Sequence, residues 1–353
     1  MIPSFTKVHN KFKLNNEHFN HSSLREVAYR FVKEGEGYQK QIGNFLLDWL
    51  DSKNYILVKT SGSTSKPKLI KLEKQAMVHS AIATGNYFNL KDGNKALHCL
   101  PTEFIAGKMM LVRAMILGLE IDIVAPSSNP LRLINKSYDF CAMVPLQLQN
   151  SIEKLSKIST LIVGGAAVSN ELQNQIQDSS CKIFATYGMT ETVTHIAVRP
   201  LNGSNSISDS YNIFPEVSIS KDDRDCLVIN APNLNKALII TNDVVELCSE
   251  SSFKLLGRFD NVINSGGIKL FPEQIEAKLK PHITDRFFIA SKTDGRLGEQ
   301  LIMVIESNVN TVDSSTFSDL DTYEKPKHIY NVERFIETDS GKIQRSKTLA
   351  LLK

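Results

Sequence analysis

Apolar residues along this chain fall into short runs separated by stretches with helical spacing. YILVKT (55–60), KALHCL (95–100), LEIDIV (119–124), YDFCAMV (138–144), TLIVGG (160–165) and KIFATYG (182–188) read as buried strands. Between them, residues 73–88, 107–117, 145–155 and 169–177 carry apolar side chains at the spacing of a helix face. Such alternation predicts parallel βαβ units with both faces of the sheet covered. From about 211 to 256 the helical spacing stops, and VSIS, CLVIN, ALIIT, VVELC and FKLL follow one another. That run predicts a small β-rich subdomain packed on the α/β part. Beyond it the spacing predicts a helix at 273–280, strands at 286–291, 300–306 and 327–333, and a short basic helix at 343–352, with a polar surface segment at 307–322. These last elements make a small α+β unit, so the expected division is 1–257 and 258–353, joined at Gly257–Asp260.

Composition narrows the class. With 353 residues, 42% hydrophobic and 22% charged, the chain is an ordinary globular one, and its length suits about two domains at ~150 residues each. Forty-one basic against 38 acidic residues leave a formal charge of only +3, which argues against a dedicated nucleic-acid binder. The first residues lack the apolar centre of a signal peptide. The run LVRAMILGLEIDIVA is interrupted by Arg113, Glu120 and Asp122, so no membrane span is expected and the expected location is cytoplasmic. The 5 cysteines are odd in number, widely spaced and without a C-x-x-C pair, a pattern of neither a disulfide framework nor a zinc site.

Five segments carry chemistry. Thr60-Ser61-Gly62-Ser63-Thr64-Ser65-Lys66-Pro67-Lys68 follows a strand and would expose several backbone N–H groups, hydroxyls and a lysine, a concave nest for a phosphate chain. The Gly-Lys-Ser/Thr end of a Walker loop would fall on Pro67-Lys68-Leu69 and is not there; a polar hairpin tip is the plainer alternative. Thr186-Tyr187-Gly188-Met189-Thr190-Glu191-Thr192 ends the strand KIFAT, where open α/β sheets bind ligands. There Tyr187 can stack on a base, Thr190 can bond a phosphate and Glu191 can hold Mg²⁺; otherwise the segment is a solvated turn. Val163-Gly164-Gly165-Ala166 permits close approach of a flat ligand, or simply tight packing. Gly257-Arg258-Phe259-Asp260 at the domain junction reads as a hinge or as a loop ion pair, and it leads into Ser265-Gly266-Gly267 and a helix start at Pro272. Asp339-Ser340-Gly341-Lys342 places a lysine on a Gly turn near the carboxyl terminus, a group able to swing or a basic tail.

Taken in order and spacing, these segments resemble the acyl-adenylating superfamily of acyl-CoA synthetases, luciferases and nonribosomal adenylation domains, from about residue 55 to the end. The resemblance implies a large adenylating domain of βα-layered sheets and a small mobile α+β lid. It implies ATP, Mg²⁺ and CoA as ligands, with Thr60, Ser61, Gly62, Ser63, Thr64 and Lys68 around the β- and γ-phosphates. Gly164, Gly165, Ala166, Tyr187 and Gly188 would face the adenine, Asp243 of Thr241-Asn242-Asp243 the ribose, and Arg258 the nucleotide. Thr190 would bind the α-phosphate, Glu191 the metal, and Lys342 would be the catalytic lysine. Asp260 would be the pivot, Ser265, Gly266 and Gly267 the CoA side, and Thr194 and His195 part of the acyl pocket. Ser65, Leu69 and Asn242 stand where the superfamily has glycine, and Leu100-Pro101-Thr102-Glu103-Phe104 lacks its aromatic–histidine pair, which alters the acyl gate. With the phosphate loop at residue 60, the usual first subdomain is expected to be reduced. The run Tyr187–His195 and the compact length most resemble short bacterial o-succinylbenzoate–CoA ligases of menaquinone synthesis. The reaction so implied is an acid–thiol ligation through acyl-AMP, in a monomer or a homodimer. Transfer of the acyl group to a carrier protein and a silent nucleotide-binding protein are the alternatives.

Overall fold

The protein, represented by a computed structural model, is described over residues 2–59, 69–203, 206, 208–308, 312–337 and 343–352. The expected phosphate loop, 60–68, and Lys342 lie outside the described residues.

One 13-stranded sheet carries most of the chain. Its parallel half runs 158–163, 138–143, 95–98, 120–123 in spatial order, with Lys182–Gly188 beside Ile158–Val163. These strands are apolar on both faces, because helices Lys74–Tyr87 and Ile105–Leu117 cover one face and Leu148, Leu155, Leu172 and Ile176 pack on the other. Met109 to Met115 are buried throughout, a helix apolar on nearly every side and therefore central rather than peripheral. The amino-terminal segment closes the far edge: Lys13–Leu14 pairs in parallel with Glu120–Ile123. Helices His21–Glu34 and Gly37–Trp49 pack against each other and bury Leu24, Phe45 and Trp49. Asn20 caps the first of these helices by accepting from the N–H groups of Ser22 and Ser23.

Three expectations change. The strand Tyr55–Lys59 is not part of the parallel sheet; it forms a separate antiparallel pair with Leu69–Glu73. The β-rich run does not pack on the parallel half as a separate layer. Its strands extend the same sheet, in the order 195–200, 211–213, 252–258, 239–249, 226–230, 218–221, and ALIIT and VVELC are one strand, Ile239–Ser249. The expected helix 145–155 is a short helix, Pro145–Asn150, followed by a 3₁₀ turn, Ile152–Lys157.

Past Arg258 a second sheet forms from Ile263–Ser265, Ile268–Leu270, Gly298–Glu306, Phe287–Asp294 and His328–Val332. Helix Pro272–Leu279, with Pro at its first position, buries Ile275 and Leu279 against it. Among the described residues no helix is long and apolar enough to cross a membrane.

Candidate active site

Strand ends bring the expected residues together. Ile158–Val163 and Lys182–Gly188 are parallel neighbours, so the segments that follow them, Gly164-Gly165-Ala166 and Gly188-Met189-Thr190, leave the same edge of the sheet. Gly188 has no room for a side chain: a Cβ there would lie 2.3 Å from the carbonyl of Thr194. The chain therefore doubles back tightly after the 3₁₀ turn Thr190–Thr192, on which Glu191 is exposed. The reversal is made at Val193, with φ 66° and ψ −57°, where Thr194 N bonds Thr192 O at 2.7 Å. A γ-turn of this hand centred on a β-branched residue is strained. Thr192 Oγ1 holds it, accepting from Met189 N at 2.9 Å and reaching Thr194 O at 2.7 Å.

A saturated ionic cluster flanks this turn. Asp243, buried on strand Ile239–Ser249, accepts from the Tyr187 hydroxyl at 2.6 Å and from Arg258 Nη1 at 2.7 Å. Burial, and then the charge of Asp243, pushes the Tyr187 hydroxyl well above its ordinary value, so it stays protonated and donates. The Tyr187 ring packs edge-on against Phe253, at 5.0 Å between centroids, so it belongs to the core as well as to the site. Asp260 accepts from Asn242 Nδ2 at 3.3 Å, and Arg258 lies 3.9 Å from it. Arg224, which the sequence reading missed, donates to Asn242 Oδ1 at 2.9 Å and stacks on Phe259. Asn242, where a glycine was expected, is thus the bridge between Arg224 and the expected pivot.

Ser265-Gly266-Gly267 belongs to the second sheet. Gly266 (φ 59°) and Gly267 (φ 85°) close the hairpin between Ile263–Ser265 and Ile268–Leu270, a turn that needs positive φ at both central residues. Lys269 ties that hairpin to the large sheet through Asp225 at 3.4 Å.

On the other side of the Val193 turn is a second polar cluster, unsaturated. His195 is buried, with Nε2 3.3 Å from Thr84 Oγ1 and Nδ1 3.5 Å from both Thr194 Oγ1 and Arg113 Nη2. Arg113 is 2% exposed, and no carboxylate among the described residues pairs with it. Among the described residues its Nη1 reaches only the sulfur of Met110, and its Nε has no partner. Burial pulls its pKa down to about 9, so it remains cationic at neutral pH. Leaving a buried charge unpaired costs several kcal/mol, roughly 3–5. Arg113, Thr84 and Ser80 were not singled out as site residues in the sequence; the available signal was one arginine inside the otherwise apolar run from Met109 to Leu117.

A sheet whose strand ends converge on a nucleotide-type turn, beside a buried cation, defines a ligand-binding α/β enzyme. The chain belongs to the AMP-binding enzyme family, whose model matches residues 32–219. A 2-succinylbenzoate–CoA ligase of Lactococcus lactis is 24% identical over 322 residues, which is 84% of this chain and 71% of that protein. A solved acyl-CoA synthetase (AMP-forming)/AMP-acid ligase II-like protein of Dyadobacter fermentans is 35% identical, with TM-score 0.63 over 93% of this chain and 98% of that one. The fold is also that of the O-succinylbenzoate coenzyme A synthetase of Bacillus subtilis, solved with ATP and magnesium, at TM-score 0.75 and 18% identity over 93% of this chain and 82% of that one.

Proposed function

We propose that this chain is an AMP-forming acid–thiol ligase that converts o-succinylbenzoate, CoA and ATP to o-succinylbenzoyl-CoA, AMP and diphosphate. The observation that carries the choice of acid is Arg113, a buried cation with no counter-ion among the described residues, 3.5 Å from His195. An acid with a second carboxylate supplies the missing charge; a simple fatty or aromatic acid does not.

One carboxylate of the acid attacks the α-phosphate, diphosphate leaves, and the CoA thiolate then displaces AMP from acyl-AMP. In this reading Lys342 stabilises the charge gathered at phosphorus, and the 60–68 loop cradles the outer phosphates. Tyr187, Asp243 and Arg258 form the preorganised wall for adenine and ribose, with Gly164, Gly165, Ala166 and Gly188 giving close approach and Thr190 facing the α-phosphate. Among the described residues no three His, Cys, Asp or Glu side chains gather as a metal cage. Exposed Glu191 instead fits a magnesium ion shared with phosphate oxygens, the usual arrangement for this cation, which neutralises phosphate charge when bound. Residues 258–353 act as a lid turning about Asp260, which brings Ser265-Gly266-Gly267 to the thiol. The separate five-stranded sheet after Arg258 supports that division.

ATP–pyrophosphate exchange across a panel of carboxylic acids tests the reading. Exchange with o-succinylbenzoate, lost in Lys342→Ala, is expected. Exchange that is equally fast with benzoate, or unchanged by Lys342→Ala, contradicts it.

A further inference from the structure

The chain crosses from the large sheet to the second one in a few residues. Strand Ser252–Arg258 ends, the 3₁₀ turn Phe259–Asn261 follows, and Ile263–Ser265 opens the second sheet. So short a crossing must absorb any turning between the two units. Both side chains at its start are held from the large sheet. The Arg224 guanidinium lies 5.1 Å over the Phe259 ring, and Asn242 Nδ2 donates to Asp260 Oδ2 at 3.3 Å. Asn242 Oδ1 in turn accepts from Arg224 Nη1 at 2.9 Å.

Chemistry permits one orientation of that amide. Arginine offers only donors and an ionised aspartate only acceptors, so the Asn242 oxygen must face Arg224 and its nitrogen Asp260. A glycine at 242 could do neither, and an aspartate could only accept. Arg224 is itself a fixed post. Its Nε donates to Asp222 Oδ2 at 2.8 Å and its Nη2 to the Thr241 carbonyl at 3.1 Å. Asp222 Oδ1 accepts from the N–H groups of Arg224 and Cys226, both at 2.9 Å, which stiffens the turn between strands Ser218–Lys221 and Cys226–Asn230. The next residue of that turn, Asp225, holds Lys269 of the second sheet. One turn of the large sheet therefore grips both the crossing and the unit beyond it.

We infer that Arg224 and Asn242 are positioning residues that hold the second unit in the orientation seen here, and that turning about Asp260 requires this brace to let go. The inference deepens the lid reading above and rests on it. Neither residue acts on a reacting atom. The Asp260 side chain is 63% exposed, so its bond to Asn242 is modest and reversible, which suits a hold released once in every turnover. Losing the brace shifts the population between orientations and leaves the chemistry within each unchanged. Two partial reactions that use different orientations should therefore respond unequally.

The test measures orientation directly, by electron–electron resonance between nitroxides on the full chain. One label goes on Cys248, exposed on the large sheet while the other cysteines are buried; the second goes on Lys325→Cys, exposed in the second unit. With the brace intact one distance should dominate. Asn242→Gly and Arg224→Ala should raise the share of other distances about three- to tenfold, and Asn242→Asp, which sets like charges together, should raise it most. The double variant Asn242→Asp with Asp260→Asn rebuilds a donor facing an acceptor and should return the original distribution. Acyl-AMP formation and thioester formation from supplied acyl-AMP, measured separately, should change in ratio by a similar factor; a merely structural role would lower both alike. Arg224→Ala gives the same readout away from Asp243, should substitutions at 242 disturb the nucleotide wall. If the wild-type distance is the same with ATP as with acyl-AMP and CoA, the lid reading falls and the inference with it. A wild-type distance that moves, with single variants that keep its distribution or a double variant that fails to restore it, overturns the inference alone.

Discussion

Two polar clusters flank the same strained turn at Val193, and they differ in how far they are satisfied. Around Asp243, the carboxylate has its partners: Tyr187, Arg258 and the Asp243 backbone N–H are all bonded before a nucleotide arrives. Around His195, a buried guanidinium lacks a carboxylate, and Ser80 Oγ and Arg113 Nε bond nothing among the described residues. The first arrangement is a finished surface, preorganised at no further cost when ligand binds. The second is incomplete, and what it lacks is an anion. A saturated network says little about the shape of its ligand. An unsaturated one specifies the missing charge.

The contrast makes opposite predictions for stability. Asp243→Ala should have the largest effect, since it strands the Tyr187 hydroxyl and frees Arg258 at once. Loss of exchange activity by about a hundredfold or more should accompany a fall in stability of about 2–4 kcal/mol, read by urea denaturation. Arg113→Met should lower turnover of the diacid by about 10- to 100-fold, yet leave the melting temperature equal or higher, because it removes an unpaired buried charge. A marked loss of stability in Arg113→Met would mean that the guanidinium is structurally satisfied after all.

The smallest effect concerns acid. His98, buried with Thr102 at 2.9 Å, is pulled from 6.5 to about 4 by burial, and His195 is lowered likewise. Between those limits the unfolded chain binds protons that the folded one refuses, so unfolding free energy rises with pH. Stability should therefore fall as pH drops from about 6.5 toward 4. His195→Gln should flatten that slope; an unchanged slope would assign it to other groups.

Much of this was legible in the sequence, for reasons that differ by element. The parallel strands announced themselves because they are apolar on both faces, and Pro272 marked its helix start because proline costs nothing there. The continuity of the β-rich run with the parallel sheet was not legible, since hydrogen-bond partners between strands such as 211–213 and 252–258 are set by topology and not by local composition. The same holds for the site. Tyr187, Asp243 and Arg258 could be named because they sit in motifs, whereas Arg113, Ser80 and Thr84 come from two helices that meet His195 only in the fold. Their residue types carry no mark of it, apart from one charge in an apolar stretch.

The pairing of Lys13–Leu14 with Glu120–Ile123 has a consequence for how the chain is made. Lys13–Leu14, once synthesised, must wait until more than a hundred further residues have emerged before its hydrogen-bond partner exists. Once made, Glu120–Ile123 is an open edge able to pair with another chain until Lys13–Leu14 docks on it, and closing so long a loop is slow. A nascent or refolding chain should be most prone to aggregate in that interval. Removing residues 2–18 would make the interval permanent.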